Sequence, residues 1–129
     1  MMYIADTHSL LWFLTENIQL SSNAASVFRQ AEKGENTIVI PTIVLAEALY
    51  ICEKKDSSEL FSELLGKIGE SSNYIVYDLT LGIIRVCQHL EKVPEIHDKI
   101  ITATAKVLGG TAITKDPAII ASGYIKTTW

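Results

Sequence analysis

Short uncharged runs alternate with longer amphipathic stretches along this chain, and the alternation reads as strands separated by helices. Tyr3-Ile4-Ala5 is the first apolar run and stops at Asp6; Thr7 to Thr15 then predicts one or two turns of helix with Leu10, Leu11, Phe13 and Leu14 facing inward. Ser21-Ser22-Asn23 predicts an N-cap for a helix that runs to Lys33 and ends at Gly34. Thr37 to Ile40 is β-branched and uncharged, the pattern of a strand covered on both faces, and Pro41 and Thr42 stop it. From Ile43 to Lys55 the pattern is a helix apolar almost all round, interrupted by Glu47. Ser57 or Ser58 opens another amphipathic helix through Leu60, Phe61, Leu64, Leu65 and Ile68, closing near Gly69. Asn73 to Tyr77 predicts the third strand, Leu79 to Leu90 a helix, and His97 to Leu108 another that ends at Gly109-Gly110. Thr111 to Thr114 is the fourth strand, followed by a helical turn after Asp116-Pro117 and a last edge strand from Tyr124 to Thr128.

Strands of three to five residues separated by helical segments call for parallel pairing, because each parallel crossover needs a helix-length connection. The expected fold is therefore α/β: a three-layer α/β/α sandwich around a four- to five-stranded parallel sheet. At 129 residues with 48% hydrophobic side chains, the chain suits one core that removes roughly two-thirds of the unfolded surface from water. Residues 1–129 are expected to form a single domain, since no repeat, low-complexity tract or linker interrupts them.

Eleven Lys and Arg against fifteen Asp and Glu give a charge of −4, which argues against a partner held simply by a large positive field. The start has no basic n-region, and no segment reaches the roughly 18 apolar residues of a membrane span. A cytoplasmic, reduced protein with no membrane association is expected. Cys52 and Cys87 lie in apolar stretches without CxxC spacing and read as buried free thiols.

Ligands of open parallel sheets gather outside the carboxyl ends of the strands, so the acids just after strands matter most. Asp6 follows the first strand, Glu47 lies about two turns into the helix after the second, and Asp116 follows the fourth. Asp98 begins the helix that leads into that fourth strand, and the connection from Leu90 decides which end of the sheet it occupies. Convergence of the four would create repulsion that a divalent cation relieves, and carboxylate-only ligation suits Mg²⁺ or Mn²⁺ better than zinc. Such a site performs metal-dependent phosphodiester hydrolysis. Taken singly, Asp6, Asp98 and Asp116 have a plainer reading as helix-capping or first-turn residues. Glu47 does not, because its neighbours are apolar, and its structural alternative is a salt bridge to Arg29, Arg85 or a lysine. His8 reads either as a contact to a phosphate or carboxylate or as a plain helix-face histidine; His97 is placed at the rim, His89 in solvent, and Trp12 and Phe13 in the core. Lys33, Lys54, Lys55, Lys99, Lys115 and Lys126 read as a scattered solvated surface.

Together these segments resemble the PIN-domain ribonucleases, especially the VapC-like toxins of bacterial toxin–antitoxin pairs. Asp6-Thr7-His8-Ser9-Leu10-Leu11-Trp12 is similar to the family's D-T-H-x-L-L-W opening, and Glu47 stands where the family has a Glu in the helix after strand two. His97-Asp98-Lys99-Ile100-Ile101-Thr102-Ala103-Thr104-Ala105 follows the pattern H-D-R-I-I-A-A-T-A with Lys99 for Arg, and Thr114-Lys115-Asp116 matches T-x-D. The four acids come in order, spaced 41, 51 and 18 residues apart. The resemblance implies a catalytic, metal-binding set of Asp6, Glu47, Asp98 and Asp116 holding Mg²⁺ or Mn²⁺. Thr7, His8 and Thr114 would support it from behind, with Thr114 bonding a carboxylate or phosphate. It further implies cleavage of an RNA substrate, a homodimer, and a cognate antitoxin protein. The rival readings are a catalytically silent PIN-fold interaction module, a receiver domain, and a haloacid-dehalogenase-like phosphatase. The phosphatase requires a second Asp where this chain has His8.

Overall fold

A computed structural model describes all 129 residues. The sheet has five strands, all parallel, in the order β3-β2-β1-β4-β5. Strands β1 (Met2–Ala5) and β2 (Thr37–Pro41) form the middle with β4 (Thr111–Ile113), while β3 (Tyr74–Tyr77) and β5 (Thr127–Thr128) are the edges. Ile4, Ala5, Ile38, Val39 and Ile40 are buried to 2% exposure or less, as an uncharged run packed on both faces requires. Pro41 is tolerated because it takes the last paired position of β2, opposite Tyr77.

The connections are α1 (Thr7–Leu14) and α2 (Ser22–Glu32) between β1 and β2, and α3 (Thr42–Lys54) and α4 (Ser58–Glu70) between β2 and β3. Next come α5 (Leu81–Cys87) and α6 (Ile96–Leu108) before β4, and α7 (Pro117–Ser122) before β5. The chain first moves outward from β1 to β3, then jumps back across β1 to β4. Right-handed crossovers therefore put α1 to α4 on one face and α5 to α7 on the other. Within these layers α1 packs on α2 and α3, α3 on α4, and α5 on α6.

Local chemistry fixes the helix ends. Ser21 accepts the Ala24 N–H at 3.0 Å to cap α2, and Gly34 ends it at φ +83°. Helix α4 ends at Glu70, next to Gly69 as expected. Two boundaries differ from expectation by more than a residue. Helix α5 is limited to Leu81–Cys87, because Thr80 caps it through the Ile83 N–H at 3.2 Å, and the chain then turns to bury Leu90 and Val93. The Lys99 ammonium holds that turn by donating to the Leu90 carbonyl at 2.9 Å, which gives this lysine a structural task. The last strand is only Thr127–Thr128, since Gly123 and the turn after it occupy the positions before Lys126. Cys52 and Cys87 are buried free thiols, as expected, and burial raises both pKa values.

Helix α6 ends on a Schellman motif: Gly110 N–H bonds the Ala105 carbonyl at 3.0 Å, and Gly109 is left-handed at φ +67°. The turn drops Gly110 directly onto β1. A Cβ there would lie 2.3 Å from Ile4 Cδ1 and 3.2 Å from the Met2 carbonyl oxygen, and Ile4 is wholly buried with nowhere to move. Gly110→Ala is expected to destabilise the fold by about 1–3 kcal/mol, the range for overpacking, whereas Gly66→Ala on open helix surface should be neutral or stabilising. Urea unfolding of the two variants checks this.

Candidate active site

The carboxyl ends of β1 and β4 lie side by side at the point where the strand order reverses, and the loops leaving them diverge to opposite faces. A crevice opens there. Asp6 is the first residue past β1; its N–H bonds the Ile113 carbonyl at 3.4 Å, and its Oδ1 accepts the Ser9 N–H at 2.8 Å, capping α1. Asp116 repeats the arrangement past β4. Its Oδ1 accepts the Ile119 N–H at 2.9 Å, with Pro117 in the first turn of α7. Capping and a place at the site are thus one geometry, since each cap occupies a single carboxylate oxygen.

Thr114 departs from the role expected of it. It is fully buried beneath the loop, and its Oγ1 accepts the Asp116 N–H at 3.1 Å, so it shapes the backbone and touches no carboxylate. Thr7 does make the supporting contact: its hydroxyl donates to Glu47 Oε1 at 2.7 Å. Glu47 Oε2 lies 3.9 Å from His97 Nδ1. Neither Arg29, Arg85 nor any lysine pairs with Glu47, so the salt bridge weighed as its structural alternative is not formed.

Asp98 stands at the carboxyl end of the sheet because α6 runs back toward the start of β4. The cap of α6 is Glu95, whose Oε2 accepts the Asp98 N–H at 2.9 Å and whose Oε1 bonds His97 Nδ1. Asp98 therefore keeps its own carboxyl free of capping. Burial first, then the charges of Asp116, Glu95, Glu47 and Asp6, push its pKa up to about 6. The hydrogen bond that His97 donates to Glu95, aided by the charges of Glu47, Glu95 and Asp98, raises His97 against the opposing effect of burial. Burial works against ionised Glu95, yet hydrogen bonds from the Asp98 N–H and from His97 hold its pKa below the usual value.

Asp6, Thr7, His8, Glu47, Asp98 and Asp116 line one cavity of about 670 Å³, completed by Trp12, Ile101, Lys115, Pro117 and Trp129. A comparable concavity of about 700 Å³ between α2 and α4 is an open surface trough, whose acid Glu32 is paired with Lys67 at 2.6 Å. Trp12, expected in the core, is half-buried and forms a wall of the acidic cavity, and Lys115 is a rim residue instead of a scattered charge. Glu95 and Trp129 carried no sequence signal: one stands outside the acid motifs, the other ends the given chain. The donor set, all oxygen and strongly anionic, has the chemistry of a hard-cation site. As the side chains stand, no three acids converge on one point, so ligation by three of them requires side-chain rotation.

The PIN domain profile matches residues 3–121, and the chain belongs to the PIN-domain family. No curated protein matches it by sequence. Among solved structures it is similar to a chain of VapBC2 from Rickettsia felis, a complex bound to a DNA fragment of its promoter. The TM-score is 0.75 at 18% identity, over 99% of this chain and 98% of that one. VapC20 of Mycobacterium tuberculosis, a toxin that cleaves the sarcin–ricin loop, aligns with TM-score 0.70 at 14% identity, covering 98% of each chain. FitAcB of Neisseria gonorrhoeae aligns with TM-score 0.68 at 14% identity, over 99% of this chain and 97% of that one. Family membership sets aside the phosphatase and receiver readings, and the five-stranded parallel sheet is the architecture expected.

Asp98 supplies a test of the convergence. A carboxyl whose folded pKa is raised stabilises the fold below its unfolded pKa, and that contribution is lost as pH rises through about 6. Asp98→Asn should therefore raise the Tm of metal-free protein at pH 7.5 by about 2–5 °C. That corresponds to about 1 kcal/mol once solvent screening of a half-exposed carboxyl is allowed for. The gain should vanish near pH 4, and scanning fluorimetry in EDTA measures both. Equal Tm values at pH 7.5 would mean that neither burial nor the neighbouring charges penalise the ionised Asp98 carboxylate.

Proposed function

We propose that the chain is a metal-dependent endoribonuclease and the toxin of a toxin–antitoxin pair. One observation carries this reading: Asp6, Glu47, Asp98 and Asp116, from four separate segments, meet in a single cavity at the switch point of the sheet. Like charges so placed are a standing cost that a structural role does not offset, whereas a Mg²⁺ or Mn²⁺ site does. The similarity to VapBC2, VapC20 and FitAcB supports the toxin assignment and a cognate antitoxin protein as partner.

Asp6, Glu47 and Asp98 would hold the principal ion, and Asp116 would support a second or orient the attacking water. When bound, such an ion polarises the scissile phosphate and lowers the pKa of water. The chain's own groups prepare the site. Thr7 fixes the Glu47 carboxylate through Oε1, and the helix caps fix Asp6 and Asp116 through their Oδ1 atoms. Asp98 holds a proton on its carboxyl below about pH 6, so protons compete with the cation and affinity should rise from pH 5.5 to 7.5.

A homodimer belongs to the same proposal. Ile75 and Val76 on edge strand β3, with Leu79, Leu81 and Ile84 in and just before α5, are each at least 40% exposed. An uncovered edge with apolar side chains is an association surface, and a second copy of the chain would bury it. A reducing, cytoplasmic setting accords with the two free thiols.

Incubated with RNA and Mn²⁺, the purified protein should yield cleavage products, and EDTA should abolish them. Asp6→Asn and Glu47→Gln should each lower the rate at least about 100-fold, and Thr7→Val several-fold, by analogy with loss of a preorganised group. Full activity in either carboxylate variant would sink the mechanism. Light scattering should report twice the chain mass, with Leu81→Lys/Ile84→Glu shifting it to monomer; a wild-type monomer would remove the dimer from the proposal.

A further inference from the structure

Lys115 is the one Lys or Arg side chain that lines the acidic cavity. Lys99, the lysine of the α6 motif, is committed to the Leu90 carbonyl at 2.9 Å. Lys54 and Lys55 line a neighbouring cavity of about 470 Å³ that shares only His8 and Trp12 with the acidic one. Although four carboxylates line the same cavity, the Lys115 ammonium pairs with none of them. It lies instead 4.9 Å from the centre of the Trp12 ring and 5.6 Å from that of Trp129, two rings set edge to face at 6.0 Å. Cation–π attraction to two indoles competes well with ion pairing at a solvated rim, where water weakens the latter.

The two walls are themselves anchored. Trp12 belongs to α1, whereas Trp129 follows β5, which pairs with β4. The Asn23 side-chain amide donates to the Thr128 hydroxyl at 3.0 Å and to the Trp129 carbonyl at 3.2 Å. The Lys115 stem also starts from a fixed turn, because the Thr114 N–H bonds the Thr128 carbonyl and the Thr114 hydroxyl accepts the Asp116 N–H.

We propose that Lys115 is a further catalytic residue: its ammonium, held off the carboxylates by Trp12 and Trp129, donates a hydrogen bond to a non-bridging oxygen of the scissile phosphodiester. The inference rests on the endoribonuclease reading and assigns that reaction a group outside the acid set. Hydrolysis adds the oxygen of one water to phosphorus and breaks the bond to the leaving oxygen, on which the water's proton ends. Negative charge on the phosphoryl oxygens must be stabilised meanwhile, and a preorganised donor does this best. The four acids carry the wrong sign for that task. An ammonium has the right one, and it keeps its own proton throughout. Paired with Asp116 or Glu47, the same lysine would lose that capacity and neutralise a carboxylate that a cation needs. The aromatic walls thus keep the acids free for the cation and the ammonium free for the phosphate.

Binding and cleavage test this separately. In non-cleaving Asp98→Asn protein with Mg²⁺, a short unstructured RNA should bind several-fold more weakly after Lys115→Gln. The slope of log K against log salt should fall by about 0.7, the value for one phosphate contact, and Lys115→Arg should keep it. With Asp98 intact and Mn²⁺ present, Lys115→Gln should lower kcat about 100-fold, as loss of an oxyanion donor does, and Lys115→Arg should recover most of that loss. Trp129→Leu keeps the lysine and removes one wall, and it should lower kcat about tenfold through misplacement of the ammonium. An unchanged salt slope in Lys115→Gln would overturn the phosphate contact even if the wild-type protein cleaves RNA. A raised KM with unchanged kcat would mark a binding residue and overturn the catalytic assignment. Full rate in Trp129→Leu would overturn the aromatic confinement. A slope lowered by Lys115→Gln in a protein that cuts no RNA would keep the lysine–phosphate contact and remove the nuclease reading, the catalytic assignment with it.

Discussion

The pairing of β1 with β4 is the constraint on which the site depends. It is the one contact in the sheet between strands whose connections travel in opposite directions, so the loops that leave the two strands must separate. The register sets Ala5 opposite Ile113 and thereby brings Asp6 level with Thr114, with Asp116 just beyond. It also fixes Asp98, because a helix that feeds a parallel strand must begin at the carboxyl edge it came from. The tight turn at Gly109-Gly110 is what lets α6 end against β1 without spreading that pair.

Gathering four acids at one edge would ordinarily loosen the fold, and the manner in which they are held explains why it does not. Asp6 and Asp116 accept N–H groups at the starts of α1 and α7, where the helix backbone favours negative charge. Glu47 accepts a hydroxyl hydrogen. These partners are neutral dipoles, so they steady the carboxylates without cancelling their charge, as an arginine would. Asp98 has no such partner, and its burial first, with the neighbouring acidic charges second, raises its pKa. The site is thereby stable enough to fold and still electrostatically unsatisfied, the condition a cation or another positive group would relieve.

Much of this was legible in the chain because the signals were local. Asp6 and Asp116 stand at strand ends marked by apolar runs, and Glu47 stands out as a charge in an apolar helix. Asp98 was set beside Asp6 by its motif alone, and the fold supplies the physical reason, since a helix start belongs to either edge until the preceding crossover is known. The aromatic residues were missed for a different reason. Trp12 has the spacing of a core residue, and only the fold shows that its ring meets the acidic cavity on one side and the lysine-lined one on the other. Trp129 and Lys115 come together at the rim through the pairing of β5 with β4, a contact that no pattern along the chain encodes. Helix α5 was read too long because Leu90 continues the apolar periodicity, yet it is buried from a turn held by Lys99.

The net charge gains a different meaning once the site is located. Of fifteen acids, four line the cavity, and the remaining eleven equal the eleven Lys and Arg, so the chain is balanced outside it. Balance is not uniformity. Lys54 and Lys55 line the neighbouring cavity, and Lys115 stands on the rim of the acidic one. The acidic total therefore reports a concentrated site and says little about the sign of the partner. A divalent ion among the carboxylates would cancel part of the local negative charge, and a polyanion would then meet less repulsion at the crevice.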